Sequence, residues 1–156
     1  MAADADVAAS GKLPNYFKKE QPMRSLVWWM RIVGGFYLLQ FVMTAIVRAP
    51  IRAMSPEGTL ALEAAGDPLA RFLVDTWIGF GLESAAIGIG LLVASRFPSL
   101  AGPLVWTVIV IEVAKGIIFD VYMITRGYDV FGFVGWIVIH SIIIGTGWRS
   151  LRKANP

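Results

Sequence analysis

Four ionisable side chains lie near the middle of long apolar runs, and they are the residues of this sequence best placed to do chemistry. We call them the midplane cluster, which consists of Glu83, Glu112, Lys115 and His140. A charge at the centre of a bilayer costs about 2.5–3.5 kcal/mol or more, so these groups are expected to face the protein interior and to satisfy one another. Carboxylates, an ammonium and an imidazole in one layer can lock helices together, carry a proton or bind a small solute.

The spacing within the midplane cluster predicts specific neighbours. Glu112 and Lys115 are three residues apart, so they are neighbours on a helix surface and are expected to form an ion pair. Glu83 shares a helical face with several small residues, and His140 has Trp136 about one turn away. With Glu83, Glu112 and Lys115 ionised the layer carries a net negative charge, so either the imidazole is protonated or the carboxyl groups share a proton.

A second set of polar residues lies nearer one end of the same apolar runs, and we call it the outer polar layer. Its members are Asp75, Asp120, Tyr122, Arg71 and Arg126. The two arginines lie close to the expected membrane interface, where the two aspartates could pair with them. Within the third run, Asp120, Lys115 and Glu112 follow one another along the span and could form part of a polar route across the membrane.

Several classes of chemistry are excluded or disfavoured by the composition. There is no cysteine, which excludes disulfides, thiol nucleophiles, thiolate-bound zinc and iron–sulfur clusters. The single histidine excludes bis-histidine haem within one chain, and no serine-hydrolase, HExxH or P-loop motif is present. The net charge of +3 comes from basic residues at the ends of apolar runs, which disfavours nucleic-acid binding. We assign no catalytic residue, metal or cofactor, and an enzyme is the minority hypothesis.

The elements that must position these side chains are predicted to be membrane-spanning helices. The 156 residues are 56% hydrophobic and 16% charged, against about 45–50% and about 25% in ordinary soluble domains. The apolar runs 25–47, 70–94, 104–124 and 130–148 are each long enough to cross roughly 30 Å of hydrocarbon, and tryptophans lie near their ends. The predicted fold is all-α, an integral membrane four-helix transmembrane bundle over residues 25–150 in a lipid bilayer.

The first connection between the runs is long enough to hold structure of its own. Ser55 as an N-cap, the proline that follows it, and Gly66 as a stop predict a short surface helix near residues 56–65. Asp67, again followed by proline, repeats the start signal for the second run. The later connections are short, so the last three spans are expected to pack as antiparallel neighbours.

The distribution of basic residues predicts the orientation of the chain. Eight Lys or Arg lie before the first run, in the second connection and after the last run, against four on the opposite side. By the positive-inside rule both the N-terminal tail, 1–24, and the C-terminal tail, 151–156, are cytoplasmic. The composition of 1–24 indicates a partly disordered tail.

Seven short segments, most of them containing Trp, Asp, Glu, Arg or His, form a pattern across the predicted spans. They are WWMRIVGGFYLL at 28–39, VDTW at 74–77, GLE at 81–83, LVASR at 92–96, LVWT at 104–107, YMITRGY at 122–128 and GWIVIH at 135–140. Through these segments residues 25–150 resemble the BphX-like family of small bacterial membrane proteins, whose layout is similar to that of DoxX-like four-helix proteins. The resemblance implies this fold and a location in the inner membrane of a bacterium. From operons for biphenyl and related aromatic degradation it also implies a link to aromatic or apolar compounds. The function of the family is not established, so the resemblance supplies no residue roles.

Three functions remain open from the sequence. The first is a non-enzymatic accessory protein whose midplane cluster locks helix packing or binds a membrane partner subunit, with small residues allowing close contact in a homo-oligomer. The second is a small-solute or proton-coupled permeation protein with Glu83 or Glu112 as proton carrier. The third is a membrane enzyme acting on a lipid or quinone-like substrate. Glu83→Gln separates the first two, because it lowers the stability of a lock but abolishes the pH-dependent activity of a proton carrier.

Overall fold

The structure is a computed structural model that describes the backbone of residues 15–54 and 58–154 and the side chains of 23–52 and 58–154. Across these ranges the chain is helical with short turns and contains no strand, which confirms the predicted all-α class. The elements are helix α1 (Asn15–Phe41), a first π-helical segment (Val42–Ile46), α2 (Ala49–Met54), α3 (Thr59–Ala64), α4 (Pro68–Ala94), a 3-10 turn (Pro98–Leu100), α5 (Gly102–Ile111), a second π-helical segment (Glu112–Ile118), α6 (Phe119–Thr125) and α7 (Val130–Ala154).

The chain forms two compact units, and α1 contributes to both. The terminal unit contains the described residues up to Trp29 and those from Ser95 onward, and the central unit contains 30–94. Each unit is described by itself below.

In the terminal unit, α7 packs against α5, the second π-helical segment and α6. The start of α1 lies along the later part of α7, where Trp29 Nε1 donates a hydrogen bond of 3.1 Å to Thr146 Oγ1. The Trp29 ring covers Gly147, since a Cβ built on that glycine would lie 2.7 Å from Trp29 Cζ2. The hydroxyls of Ser25 and Ser150 lie 3.0 Å apart one turn further on. Small residues on α7 therefore allow the close contact expected of helices that associate in lipid.

In the central unit, α4 packs against the first π-helical segment and α3. Helices α1 and α4 are in close contact where Gly34 faces Gly88, because a Cβ on Gly34 would lie 3.0 Å from the Gly88 carbonyl oxygen. The buried residues of α4 follow three- and four-residue steps along one face, and they are Ala70, Val74, Gly81, Ser84, Gly88 and Leu91. This face, rather than the one that carries Glu83, is the packed face of α4.

Two helix ends are closed by glycines in the left-handed conformation and followed by aspartate caps. Gly66 and Gly127 have φ of +87° and +86°, which glycine adopts without steric cost. Asp67 then caps α4, since its Oδ1 accepts a hydrogen bond of 2.8 Å from the Ala70 N–H. Asp129 caps α7 in the same way through the Gly132 N–H, at 3.0 Å. The stop and start signals predicted at Gly66 and Asp67 thus correspond to real helix boundaries.

Three helical stretches are long and apolar enough to cross a membrane, and they are Met23–Ile46, Pro68–Ala94 and Val130–Ala154. They contain the predicted spans 25–47 (to Ile46), 70–94 and 130–148. The remaining predicted span, 104–124, lies within a helical path from 102 to 125 that is divided among α5, the second π-helical segment and α6. The π turn interrupts the regular α-helical hydrogen bonding, so none of the three pieces is long by itself.

The ends of the chain and the first connection differ in detail from the sequence expectations. Helix α1 begins at Asn15, inside the segment predicted as a tail, and α7 continues to Ala154. The predicted cap at Ser55 and the proline after it lie outside the described residues. The later part of the predicted surface helix is α3, and a further short helix, α2, precedes it.

Candidate functional site

The second π-helical segment brings two carboxylates and a glycine onto one face of the helical path 102–125. Glu112, Gly116 and Asp120 are buried, whereas the residues between Glu112 and Gly116 are exposed. In a regular α-helix residues i and i+8 differ by about 80° around the axis. A π turn, with hydrogen bonds from i to i+5, takes up one extra residue and leaves these positions only about 20° apart. The wider turn therefore aligns Glu112 with Asp120.

His140 of α7 lies between these two carboxylates. Its Nδ1 forms a short hydrogen bond with Glu112 Oε2. Its Nε2 lies 3.7 Å from Asp120 Oδ2, an ion-pair separation too long for a good hydrogen bond. We call this arrangement the triad: Glu112, His140 and Asp120. Both nitrogens of one imidazole thus face carboxylates that lie two turns apart on a neighbouring helix.

Gly116 and Trp136 fix the position of the imidazole ring. A Cβ on Gly116 would lie 2.6 Å from His140 Nδ1, so any larger residue would displace the ring. The Trp136 ring lies one turn before His140, with 6.0 Å between ring centres and 31° between planes. The glycine provides the space and the indole limits the remaining motion of the ring.

The triad is enclosed by protein, and one of its oxygens has no partner. The side chains of Glu112, Asp120 and His140 are 2%, 8% and 14% exposed. Among the described residues, Asp120 Oδ2 is a fully enclosed side-chain oxygen without a hydrogen bond. An unsatisfied buried acceptor is costly, and one beside an imidazole N is placed to receive a proton. The triad can therefore hold a proton on the imidazole or on either carboxyl group.

The structure brings together only part of the midplane cluster. Glu112 and His140 form a hydrogen bond. Lys115 has an exposed side chain, and its ion pair with Glu112 stays a prediction. Glu83 belongs to the central unit and lies on the exposed face of α4. That Glu83 shares a layer with the other residues stays a prediction.

The outer polar layer is divided in a way that spacing alone did not indicate. Asp120 joins His140, which the sequence analysis had placed in the other layer. Asp75, Tyr122, Arg71 and Arg126 are exposed. The sequence feature that could have indicated this contact is the eight-residue separation of Asp120 from Glu112. That separation places the two on one helix face only when a π turn lies between them.

The central unit has a polar contact of its own that the sequence analysis did not identify. Arg48 Nη1 lies 3.1 Å from Glu63 Oε2, which joins the end of the first π-helical segment to α3. Arg48 has φ of +57°, the left-handed region that side chains other than glycine rarely adopt. Both side chains are partly exposed, so this ion pair contributes little free energy and mainly orients the connection.

The described residues offer no group of three or more His, Cys, Asp or Glu arranged to hold a metal ion. Cavities of about 420 and 160 Å³ in the terminal unit are lined by residues near the start of α1 and the end of α7, rather than by the triad. The triad is an enclosed contact between helices whose groups can form hydrogen bonds and exchange protons.

Comparison with known proteins gives one consistent result. The family model described as BphX-like matches residues 23–156. Two relatives named as uncharacterized BphX-like proteins, from Burkholderia cepacia and Paraburkholderia xenovorans (strain LB400), are each 30% identical over 141 residues. These alignments cover 85% of this chain and 97% of each relative. No solved structure matches the chain. The matched region includes both π-helical segments and the whole triad.

Proposed function

The chain belongs to the BphX-like family, and we propose that it is a non-enzymatic multi-pass membrane protein in which the triad locks α7 against the helical path 102–125. The observation that carries this proposal is the position of His140, whose two nitrogens face Glu112 and Asp120 while its ring lies against Gly116. Because both nitrogens of the ring face carboxylates and the ring fits against Gly116, His140 fixes the register of α7 on the helical path 102–125.

Membrane location is supported by the three long apolar helices. We propose the helical path 102–125 as a fourth crossing. Four crossings place both termini on one side, which the excess of Lys and Arg assigns to the cytoplasm. The proposed location is the inner membrane of a bacterium, with the four helices as a bundle of the DoxX-like layout. A membrane partner subunit, a second copy and a role linked to aromatic or apolar compounds remain predictions.

The lock is tested by removing its polar contacts while keeping its volume. His140→Phe retains a ring of similar size but leaves two buried carboxylates without the imidazole, so we expect a loss of about 3–5 kcal/mol in stability. Thermal unfolding of the full-length protein in detergent, followed by circular dichroism, measures it. Ser141→Ala is the matched control, because Ser141 is the next residue, is exposed, and bonds only within its own helix in the described contacts. A His140→Phe protein as stable as the control would contradict the lock.

A second candidate function, proton-coupled transport of a small solute, is favoured by a separate observation. The enclosed Asp120 Oδ2 has no hydrogen-bond partner in the described part of the chain and lies beside His140 Nε2. In a purely structural contact every buried oxygen is expected to have a hydrogen-bond donor. A group that accepts and releases protons instead needs an oxygen that is not already bonded. The membrane enzyme acting on a lipid or quinone-like substrate has no comparable observation behind it.

Proteoliposomes separate the two functions. For proton-coupled transport, Asp120→Asn abolishes proton movement measured with an enclosed pH-sensitive dye while the protein remains folded. Asp75→Asn, which changes an exposed aspartate, is the matched control and retains it. If the unsubstituted protein moves no protons beyond empty vesicles, the transport function is excluded and the lock remains.

A further inference from the structure

The end of the terminal unit where the start of α1 meets the last turns of α7 is positively charged. The contact between Ser25 and Ser150 marks this end. Its exposed cations, which we call the basic end, are Arg24, Arg96, Arg149, Arg152 and Lys153. The acidic side chains described in this unit, Glu112, Asp120 and Asp129, lie in the triad and at the first turn of α7. A surface with charge of one sign attracts ligands of the opposite sign.

One cation of the basic end is ordered by an aromatic pair. The guanidinium carbon of Arg152 lies 5.7 Å from the centre of the Trp148 ring. Trp148 in turn contacts Trp106 edge to face, with 4.9 Å between ring centres. Stacking on an indole orients the guanidinium plane and leaves its edge donors free for a planar or tetrahedral anion. Within the described residues, Arg152 forms no salt bridge that would occupy these donors.

Leu151 lines two neighbouring cavities at this end, and only the smaller of them has a charged residue in its lining. The smaller cavity, of about 160 Å³, is lined by Trp106, Trp148, Leu151 and Arg152. The larger, of about 420 Å³, is lined mainly by apolar side chains that include Met23, Leu26 and Leu100. A ligand that combines an anionic group with hydrocarbon fits this pair of cavities, since its charge and its chain find separate surroundings.

We propose that Arg152, oriented by Trp148 and Trp106, binds the phosphate of an anionic phospholipid, with part of an acyl chain in the apolar cavity beside Leu151. This inference rests on the proposed membrane location, because the bilayer is the source of the ligand. Arginine donates two parallel hydrogen bonds to phosphate, and tryptophan is suited to the level of lipid headgroups. The neighbouring cations attract anionic lipids in general, whereas the stacked Arg152 makes one position specific.

The test uses the full-length protein in detergent with equal amounts of phosphatidylglycerol and phosphatidylcholine of the same acyl chains. Native mass spectrometry counts the lipid molecules that remain bound. We expect phosphatidylglycerol to be retained about tenfold more than phosphatidylcholine. Both lipids carry a phosphate, but the choline cation of phosphatidylcholine opposes its approach to the Arg152 guanidinium, on the scale of one charge near a lipid surface. Equal retention of the two lipids would overturn the inference. Displacement of the bound lipid by inorganic phosphate would also overturn it, because the site would then take a free anion.

Three variants distinguish a built site from diffuse attraction. Arg152→Gln and Trp148→Leu are both expected to remove the tenfold preference, although Trp148→Leu changes no charge. Arg149→Gln is the matched control, since it removes the same charge on the same turn without aromatic stacking in the described contacts, and it keeps most of the preference. If Arg149→Gln and Arg152→Gln lower retention equally and Trp148→Leu has no effect, the attraction is diffuse and the inference fails.

Flotation with phosphatidylcholine vesicles separates this inference from the proposed membrane location. A protein that does not float with the vesicles contradicts the location itself. A protein that floats but retains both lipids equally contradicts only the phospholipid site.

Discussion

Each of the two π-helical segments makes a close contact with a facing helix. In one contact the segment contributes the side chain and the facing helix the glycine, and in the other these roles are reversed. In the central unit the segment supplies the side chain, and a Cβ on Gly81 of the facing helix would lie 2.5 Å from Thr44 Oγ1. In the terminal unit the segment supplies the glycine, and a Cβ on Gly116 would lie 2.6 Å from His140 Nδ1 of the facing helix. Each contact places bare backbone against a buried or mostly buried polar side chain.

The two contacts differ in where the polar group finds its partner. The Thr44 hydroxyl donates to the Gln40 carbonyl of its own helix at 2.7 Å, so it needs nothing from the helix it faces. His140 bonds across the contact to Glu112 and lies beside Asp120. The first contact is therefore packing alone, whereas the second joins two helices by ionisable groups. A π turn by itself does not mark a functional site, and the groups that it aligns decide its role.

The largest effect is expected when Glu112, the polar group of the second π-helical segment, is replaced by an apolar residue, and Thr44 of the first segment gives the comparison. Glu112→Leu removes one partner of a buried pair and should cost about 3–5 kcal/mol. Thr44→Val replaces a self-bonded hydroxyl with a methyl of similar size and should cost about 1 kcal/mol or less. Urea or thermal unfolding in detergent measures both. Ala114→Leu, at an exposed position of the second segment, controls for changes in the helix itself.

Equal losses for Glu112→Leu and Thr44→Val would break this comparison. In that case the triad would contribute no more to stability than ordinary packing, and its ionisable groups would need a different explanation.

A smaller effect is expected when each glycine is replaced by alanine. Gly81→Ala and Gly116→Ala should each cost about 1–3 kcal/mol by overpacking. Combining Gly81→Ala with Thr44→Ala should recover much of the loss, because the closest atom is then absent. Adding His140→Ala to Gly116→Ala should recover none, since the carboxylates lose their imidazole.

Gly135→Ala serves as the control for the glycine substitutions. A Cβ at Gly135 would lie more than 4 Å from every described atom apart from its chain neighbours and its own helix backbone. The substitution should be neutral or slightly stabilising, since alanine favours helix more than glycine does. Rescue of Gly116→Ala by His140→Ala would show that the terminal contact, like the central one, is only a matter of space.

Local features of the fold were accessible from the sequence because each depends on a few adjacent residues. Gly66 and Asp67 predicted a stop and a start, and hydrogen bonds to Asp67 confirm the start. The meeting of Glu112 with His140 followed from depth alone, since each lies near the middle of its run. The position of a residue along its span does not specify which side of the helix it occupies. The exposure of Lys115, three residues from the buried Glu112, could therefore not be predicted in this way.

The position of Asp120 could not be derived from regular helix geometry. At about 100° per residue, Asp120 lies well away from Glu112, and the sequence gives no strong signal that a turn between them widens. The packed face of α4 was also not accessible, because small residues occupy both the exposed face around Gly79 and the buried face around Gly81 and Gly88. Which of two similar faces packs depends on the facing helix.

The smallest effect is expected from deleting one exposed residue of the second π-helical segment. Without Ala114, the turn can return to α-helical spacing, and Glu112 and Asp120 become seven residues apart, still within about 20° of each other. We expect a change in stability within about 1 kcal/mol, the range of helix-propensity differences. Deleting Val110 of α5, which is also exposed, should instead unfold the protein, because it rotates the buried face of α5 by about 100°. Thermal unfolding measures both deletions, and His140→Phe should still destabilise the Ala114 deletion if the triad persists. If both deletions lower the stability equally, the π turn has a role in the fold beyond taking up one extra residue.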